Sequence, residues 1–289
     1  MVPRKPYTVP ITGGRRLELG ERTLVMAIVN ITPDSFAERS PSIDPARALD
    51  LAAAAAAQGA DLLDLGAEST RPGAAVVPED EEIRRLLPAL RAITSRVNLP
   101  VSVDTRKAAV ARAVLDEGAS IVNDISGLGY DAELGAVVAR AGAGLVLMHM
   151  RGTPADMYRD AVYADLAAEV VCELEEALQR ALAAGVAREA IVLDPGIGFA
   201  KRAEHSYEAL ARLPDLAALD RPLLVGTSRK SFLQAALGEC PPASRDWGTA
   251  ASVAAAILGG AHIVRVHAVG EMVQVARVAD EIRRKARFS

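Results

Sequence analysis

The chain has 289 residues, of which 51% are hydrophobic and 24% charged, enough apolar material for a sizeable core and too much for a disordered or fibrous chain. Its formal net charge of −4 argues against a general nucleic-acid or membrane-surface role, since those partners demand a basic face, so any anion site must be local. The two cysteines, Cys172 and Cys240, have no CxxC spacing and indicate neither a disulfide framework nor a thiolate metal site, which makes the cytoplasm the expected compartment. The start, MVPRKPYTVPITGGRR, runs into Pro and Gly rather than an apolar segment, and no later run reaches the ~18 apolar residues of a membrane span. Neither a targeting signal nor a membrane anchor is expected.

In chain order, residues 5 to 20 read as a hairpin with Gly13-Gly14 at its turn. Eight short apolar runs follow: TLVMAIVN (23 to 30), DLLDLGA (61 to 67), PVSVD (100 to 104), ASIVND (119 to 124), GLVLMHM (144 to 150), AIVLD (190 to 194), RPLLVGT (221 to 227) and AHIVRVH (261 to 267). Such runs are how strands buried on both faces appear in sequence. The segments between them have helical signals. Asp44-Pro45 places an N-cap before a helix with Pro at its first position, and Glu79 to Glu82 put acids in a first turn. In 164 to 185, Leu166, Val170, Leu174, Leu178 and Leu182 recur every four residues along one face. Cys172, on that helix, reads as core. Eight such units without a linker predict one domain over 1–289, an α/β TIM (β/α)8 barrel whose N-terminal β-hairpin covers the barrel bottom. An open doubly wound sheet with two further strands would give the same periodicity.

In a barrel the site forms at the C-terminal ends of the strands. Polar residues stand there in nearly every run: Asn30, Glu68 to Arg71, Asp104, Asn123-Asp124, His149, Asp194, Ser228 to Lys230, and Arg265 with His267. Asp104, Asp194 and Asn123 form a set that suits a flat heterocycle with several N–H groups. Each Asp could instead cap the helix after it, for which Asp104-Thr105-Arg106-Lys107 is suited. Arg71, Lys230, Arg265 and His267 are four potential cations on three loops or strands of an acidic chain, and they imply a bound anion such as pyrophosphate, with Asn30 offering an oxygen to Mg²⁺. Arg265 could alternatively pair with a carboxylate, and His267 could start a helix. The four histidines lack HExxH spacing, so no zinc site is expected.

Together the motifs resemble those of dihydropteroate synthases: Asn30-Ile31-Thr32-Pro33-Asp34-Ser35-Phe36, Gly66-Ala67-Glu68-Ser69-Thr70-Arg71-Pro72-Gly73, Ser102-Val103-Asp104-Thr105 and Asn123-Asp124-Ile125-Ser126-Gly127. Met148-His149-Met150, Asp194-Pro195-Gly196-Ile197-Gly198-Phe199, Ser228-Arg229-Lys230-Ser231 and Arg265-Val266-His267 complete the series in family order. The resemblance implies a homodimeric folate-biosynthesis transferase that joins 6-hydroxymethyl-7,8-dihydropterin pyrophosphate to p-aminobenzoate, releases pyrophosphate, and is open to competition by sulfonamides. It implies that Asp104, Asn123, Asp194 and Lys230 hold the pterin, with Arg265 stacked on its face. Asp104, Asp194, Lys230 and Arg265 would be the catalytic set. Asn30, Thr70, Arg71, Arg265 and His267 would hold the pyrophosphate, Asn30 also binding Mg²⁺. Phe36, Thr70, Arg71, Pro72, Phe199, Ser228 and Lys230 would line the p-aminobenzoate site, and the loops after the first two strands would order over it.

The sequence departs from the family pattern at Ala37 to Ser40, where Ser-Asp-Gly-Gly is usual, at Ala268 for an acid, at Ile197 for an aromatic and at Ala200 for a glycine. Two other functions fit part of the pattern. A corrinoid-dependent methyltetrahydrofolate methyltransferase would need the pterin set but not Arg71 with Lys230, and a paralogue could bind pterins without turnover.

Overall fold

The computed structural model describes residues 3–31, 44–71, 73–159 and 161–286. The chain opens with the expected hairpin: β1 (Tyr7–Pro10) pairs antiparallel with β2 (Arg16–Leu19), and Gly13 and Gly14 turn between them at φ of 69° and 70°. Eight parallel strands follow: β3 (Leu24–Asn30), β4 (Leu62–Gly66), β5 (Val101–Asp104), β6 (Ile121–Asp124), β7 (Gly144–Met148), β8 (Ile191–Asp194), β9 (Leu224–Val225) and β10 (Ile263–Val266). Each lies within one of the eight apolar runs, though β9 keeps only two residues of its run.

Nine α-helices occupy the connections and the C-terminal end among the described residues: α1 (Pro45–Ala57), α2 (Glu79–Thr94), α3 (Ala108–Asp116), α4 (Leu134–Ala141), α5 (Leu166–Ala183), α6 (Ala203–Ala211), α7 (Gln234–Leu237), α8 (Asp246–Leu258) and α9 (Val269–Lys285). The strand order is β8-β7-β6-β5-β4-β3-β10-β9, and a parallel bridge between Leu193 and Leu223 brings its two ends together. The sheet is therefore a (β/α)8 barrel rather than an open doubly wound sheet.

Period-two alternation sorts each strand's side chains. Val25, Ala27 and Val29 of β3, Leu63 and Leu65 of β4, and Leu145 and Leu147 of β7 pack outward with the helices, which is why the strands read as continuous apolar runs. The inward set is apolar at the bottom, where Met26, Leu62, Ile121, Val146, Val192 and Ile263 meet Val9, Ile11, Leu17 and Leu19 of the hairpin. Gly144 makes room for this plug, since a Cβ there would lie 3.2 Å from Ile11. The upper inward positions are polar: Asp64, Asp104, Asn123, Asp194 and Arg265.

Two helix starts follow their sequence signals. The Asp44 carboxylate accepts from the Ala46 N–H at 2.9 Å, with Pro45 at the first position of α1, and α2 carries Glu79, Asp80, Glu81 and Glu82 in its first turn. The four-residue stripe on α5 holds only in part. Leu166, Val170, Leu174 and Leu178 are buried, but Leu182 is only partly so and Ala177 and Ala181 share the buried face. A four-residue step overshoots a 3.6-residue turn by about 40°, so the stripe drifts around the helix. Cys172 is exposed rather than core. Two positions before Leu174, it sits roughly 200° around the helix, on the far face.

Candidate active site

Parallel register brings the site together. Asp104 ends β5 beside Asn123 of β6, and Asp194 ends β8 beside Met148 of β7. Asn30, half-buried at the end of β3, is in register with Gly66, which is in register with Asp104. Neither carboxylate caps the next helix. Asp104 faces Arg265, while the α3 start at Ala108 donates its N–H to Asp131 at 2.8 Å. Asp194 accepts from the Gly196 N–H at 2.7 Å, within the turn that follows its strand.

The residue that organises the floor was not visible as a strand-end residue. Asp64, fully buried in the middle of β4, accepts from Arg265 Nε at 2.6 Å and from the Asn123 amide at 3.2 Å. Arg265 also reaches Asp104 at 3.4 Å. The alternative that Arg265 pairs with a carboxylate is thus realised, and pairing with two fixes its guanidinium at the mouth. The second Asp64 oxygen has no hydrogen-bond partner among the described residues, so an acceptor remains there. The signal for Asp64 was in plain sight: one charged residue inside LLDLG, a strand otherwise apolar and covered on both faces.

Lys230 closes the ring of charges. Its Nζ donates to Ile197 O at 2.5 Å and lies 4.6 Å from the centroid of the Phe199 ring. Burial pushes Lys230 down to about 8, against the pull of the Asp194 charge. Burial, with Asp64 nearby, pushes Asp104 up to about 7 despite Arg265, and burial raises Asp194 against the pull of Lys230. For Arg265 burial works against the charge, but Asp64 and Asp104 outweigh it and hold the group above its usual value.

His267 is not the cation the sequence reading allowed. Burial, then the charge of Arg265, push it down to about 3, so the ring is neutral near neutral pH. It stands before α9, and its Nδ1 is 2.9 Å from the Ser228 hydroxyl. With the hydroxyl donating to Nδ1, the ring proton sits on Nε2 as a neutral donor. Arg229, beside Ser228, is left-handed (φ 58°) and pinned by two 2.8 Å bonds to Asp246.

Thr70 is half-buried and Arg71 exposed on the connection between β4 and α2. That connection leaves a buried ionic neck: Lys107 Nζ bonds the Glu68 carboxylate, Glu82 at 2.5 Å and Val77 O at 2.7 Å. Glu68 also accepts from the Val77 N–H at 3.3 Å and from Arg106 at 3.0 Å. Both ends of the loop are thereby tied to the residues that follow Asp104. Phe36, Pro72 and the Ala37 to Ser40 departure lie outside the described residues.

Residues 26–267 match the model of a family described as pterin binding enzyme. A dihydropteroate synthase from Synechocystis is 44% identical over 277 residues, 96% of each chain. The chain belongs to the dihydropteroate synthase family. Among solved structures, the Yersinia pestis dihydropteroate synthase in a sulfonamide complex superposes with a TM-score of 0.89 at 39% identity, covering 94% of this chain and 98% of the other. The Burkholderia cenocepacia dihydropteroate synthase complexed with 7,8-dihydropteroate gives 0.86 at 40% identity, covering 96% and 97%. The resemblance read from the motifs is borne out over nearly the whole chain, and a methyltransferase reading gives way.

Proposed function

We propose that this barrel mouth carries out the family reaction, joining 6-hydroxymethyl-7,8-dihydropterin pyrophosphate to p-aminobenzoate, through the following division of labour. Asp104 and Asp194 accept N–H groups of the pterin, Asn123 supplies a donor and an acceptor, and Lys230 donates to a ring acceptor. Arg265, held by Asp64 and Asp104, presents its face to the ring. That clamp is the observation that carries the reading, because it fixes a cation between acceptors on separate strands where a flat polar heterocycle fits.

Asn30, Thr70, Arg71 and Arg265, with the neutral Nε2–H of His267, hold the pyrophosphate. The family uses a divalent metal, and among the described residues no three His, Cys, Asp or Glu side chains group to hold one. The Asn30 carbonyl is a hard oxygen ligand at the end of β3. That donor fits Mg²⁺, which takes one or two protein oxygens and completes its shell from phosphate and water. When bound, Mg²⁺ neutralises charge on the pyrophosphate.

The residues favour breaking the C–O bond to pyrophosphate before the amine attacks. Arg71 and Arg265 stabilise the departing anion, while Asp104 and Asp194 stabilise the delocalised positive charge left on the pterin methylene. An arylamine is neutral and nucleophilic at pH 7, so attack needs orientation more than a strong base. Thr70, Arg71, Ser228, Lys230 and Phe199, together with Phe36 and Pro72, provide it. The Yersinia relative was solved with a sulfonamide, which supports competition by such drugs at this position.

The charge states give a test in pH. The acceptor role needs Asp104 ionised, so activity is expected to fall as pH drops through about 7; the Lys230 charge is lost as pH rises through about 8. For kcat/KM of the pterin substrate, a narrow bell with its maximum between these values is expected, each limb falling about tenfold per pH unit. In Lys230→Arg the basic limb should vanish, whatever the rate. A flat wild-type profile from pH 6 to 9 would contradict the assignment.

The chain also acts as a homodimer in this reading. Ala250, Ala254 and Leu258 of α8 and Val275 of α9 line an apolar groove of about 370 Å³, and Val278 and Ile282 stand exposed along it. Small residues flanked by large apolar ones suit a self-complementary two-fold contact. Sedimentation should read twice the 30.3 kDa chain mass, and Val278→Glu with Ile282→Glu should halve it. No described helix is long and apolar enough to cross a membrane. The cytoplasmic assignment rests on the two free cysteines.

A further inference from the structure

The turn between β8 and α6 is built with more support than a simple connection needs. Gly196, Gly198 and Ala200 all have positive φ (66°, 80° and 49°), and Ala200 holds that conformation despite its side chain. At Gly196 a Cβ would lie 2.0 Å from His149 O, so the turn presses on the backbone at the end of β7. A backbone coiled in this way cannot satisfy its carbonyls by helix or strand bonding, so donors must come from elsewhere.

Four successive carbonyls each have one. Ile197 O accepts from Lys230 Nζ at 2.5 Å, Gly198 O from the Tyr158 hydroxyl at 3.3 Å, Phe199 O from Lys201 Nζ at 3.3 Å, and Ala200 O from the Tyr163 hydroxyl at 2.9 Å. Lys230 belongs to the site itself. The other three do not: Lys201 follows the turn, and the tyrosines come from the connection between β7 and α5.

These donors are themselves braced. Lys201 is buried, and its Nζ lies 2.6 Å from His149 Nδ1, whose Nε2 is 3.0 Å from Glu173. Burial pushes His149 down to about 4, so the ring is neutral and its Nδ1 accepts from the lysine. The Tyr163 ring lies 4.1 Å from the Arg151 guanidinium, which pairs with Glu169 at 2.7 Å and with Glu173. The connection also touches the opposite wall, where the Gly73 N–H donates to Pro154 O at 3.3 Å.

We propose that Lys201 and Tyr163 are positioning residues that hold Phe199 in place as the wall of the p-aminobenzoate site. The proposal rests on the reading that Phe199 lines that site. Affinity for the arylamine is then set from behind the pocket by side chains that do not touch it, while the pterin, bound by Asp104, Asn123 and Asp194, is unaffected.

The test varies both substrates in steady-state assays of wild type, Tyr163→Phe, Lys201→Met, the double variant and Phe199→Ala, with thermal unfolding of each. Loss of two supporting hydrogen bonds is expected to raise KM for p-aminobenzoate about tenfold in the double variant, with KM for the pterin pyrophosphate within about twofold and kcat within about threefold. Phe199→Ala should move the same constant in the same direction. If Phe199→Ala raises that KM and the double variant does not, the positioning role is wrong and the wall reading stands. An unchanged KM in Phe199→Ala overturns the wall reading and the proposal with it. Equal rises for both substrates would mark a general structural role and overturn the proposal. Should the double variant fold poorly, Tyr163→Phe, which removes a single oxygen, decides alone, with a rise of about threefold expected and no rise overturning the role.

Discussion

Lys230→Ala is expected to lower kcat/KM for the pterin substrate by about 10²-fold or more, the scale on which loss of one preorganised donor is felt. The expectation is large because one ammonium serves three parts of the site. It offsets the Asp194 charge, donates to Ile197 O and lies over the Phe199 ring at 4.6 Å. Removing it leaves Asp194 buried without its main counter-charge, which favours protonation and weakens it as an acceptor. It also leaves one turn carbonyl without its donor. The effect should appear in initial rates of pyrophosphate release with either substrate limiting. Rates near wild type would show that the pterin and the arylamine sit elsewhere.

The second large effect is expected at Asp64, which touches no substrate in this account. Asp64→Ala removes the 2.6 Å partner of Arg265 and the acceptor of the Asn123 amide in one step. Removing one partner of a buried pair leaves Arg265 with only its longer, 3.4 Å contact to Asp104, and the expected cost is up to ~3–5 kcal/mol of unfolding free energy, read by denaturant titration. With Arg265 and Asn123 both released, pterin affinity should fall at least about tenfold. Asp64→Asn, which keeps an oxygen for Arg265, should recover part of the stability. Wild-type stability and affinity in Asp64→Ala would mean that Arg265 is held by other contacts.

Asp64 also marks where sequence reading reached its limit. Strand ends are where barrel chemistry is sought, and Asp104, Asn123, Asp194, Arg265 and the Ser228 to Lys230 group were found there. Asp64 sits one layer lower, inside an apolar run, and its partners Arg265 and Asn123 come from β10 and β6, each two strands away around the barrel. That is a property of barrel closure and register, and no local pattern encodes it. The same reason hid the support behind Phe199: Tyr158 and Tyr163 are separated from Gly198 and Ala200 by about forty residues and a helix.

The eight barrel strands were legible because strands covered on both faces must be apolar along their length, and the hairpin, which alternates buried and exposed residues, because Gly13-Gly14 mark its turn. Finer points were set by packing geometry. The drift of the α5 stripe moves Leu182 toward solvent, and Cys172, two positions before Leu174, falls on the outer face. The possible capping roles of Asp104 and Asp194 gave way to a guanidinium and to a turn N–H. His267 is not the cation its residue type allows, because burial, then the charge of Arg265, push it down to about 3. Sequence gives the residue type; only the neighbours decide the charge.

Whether the barrel mouth runs this reaction is decided by pyrophosphate release from the purified chain given 6-hydroxymethyl-7,8-dihydropterin pyrophosphate and Mg²⁺, with and without p-aminobenzoate. Release that depends on p-aminobenzoate, with dihydropteroate formed in equal amount, is the predicted result. Pterin binding without any such release would contradict it, and would leave a chain that keeps the family's pterin pocket without its chemistry.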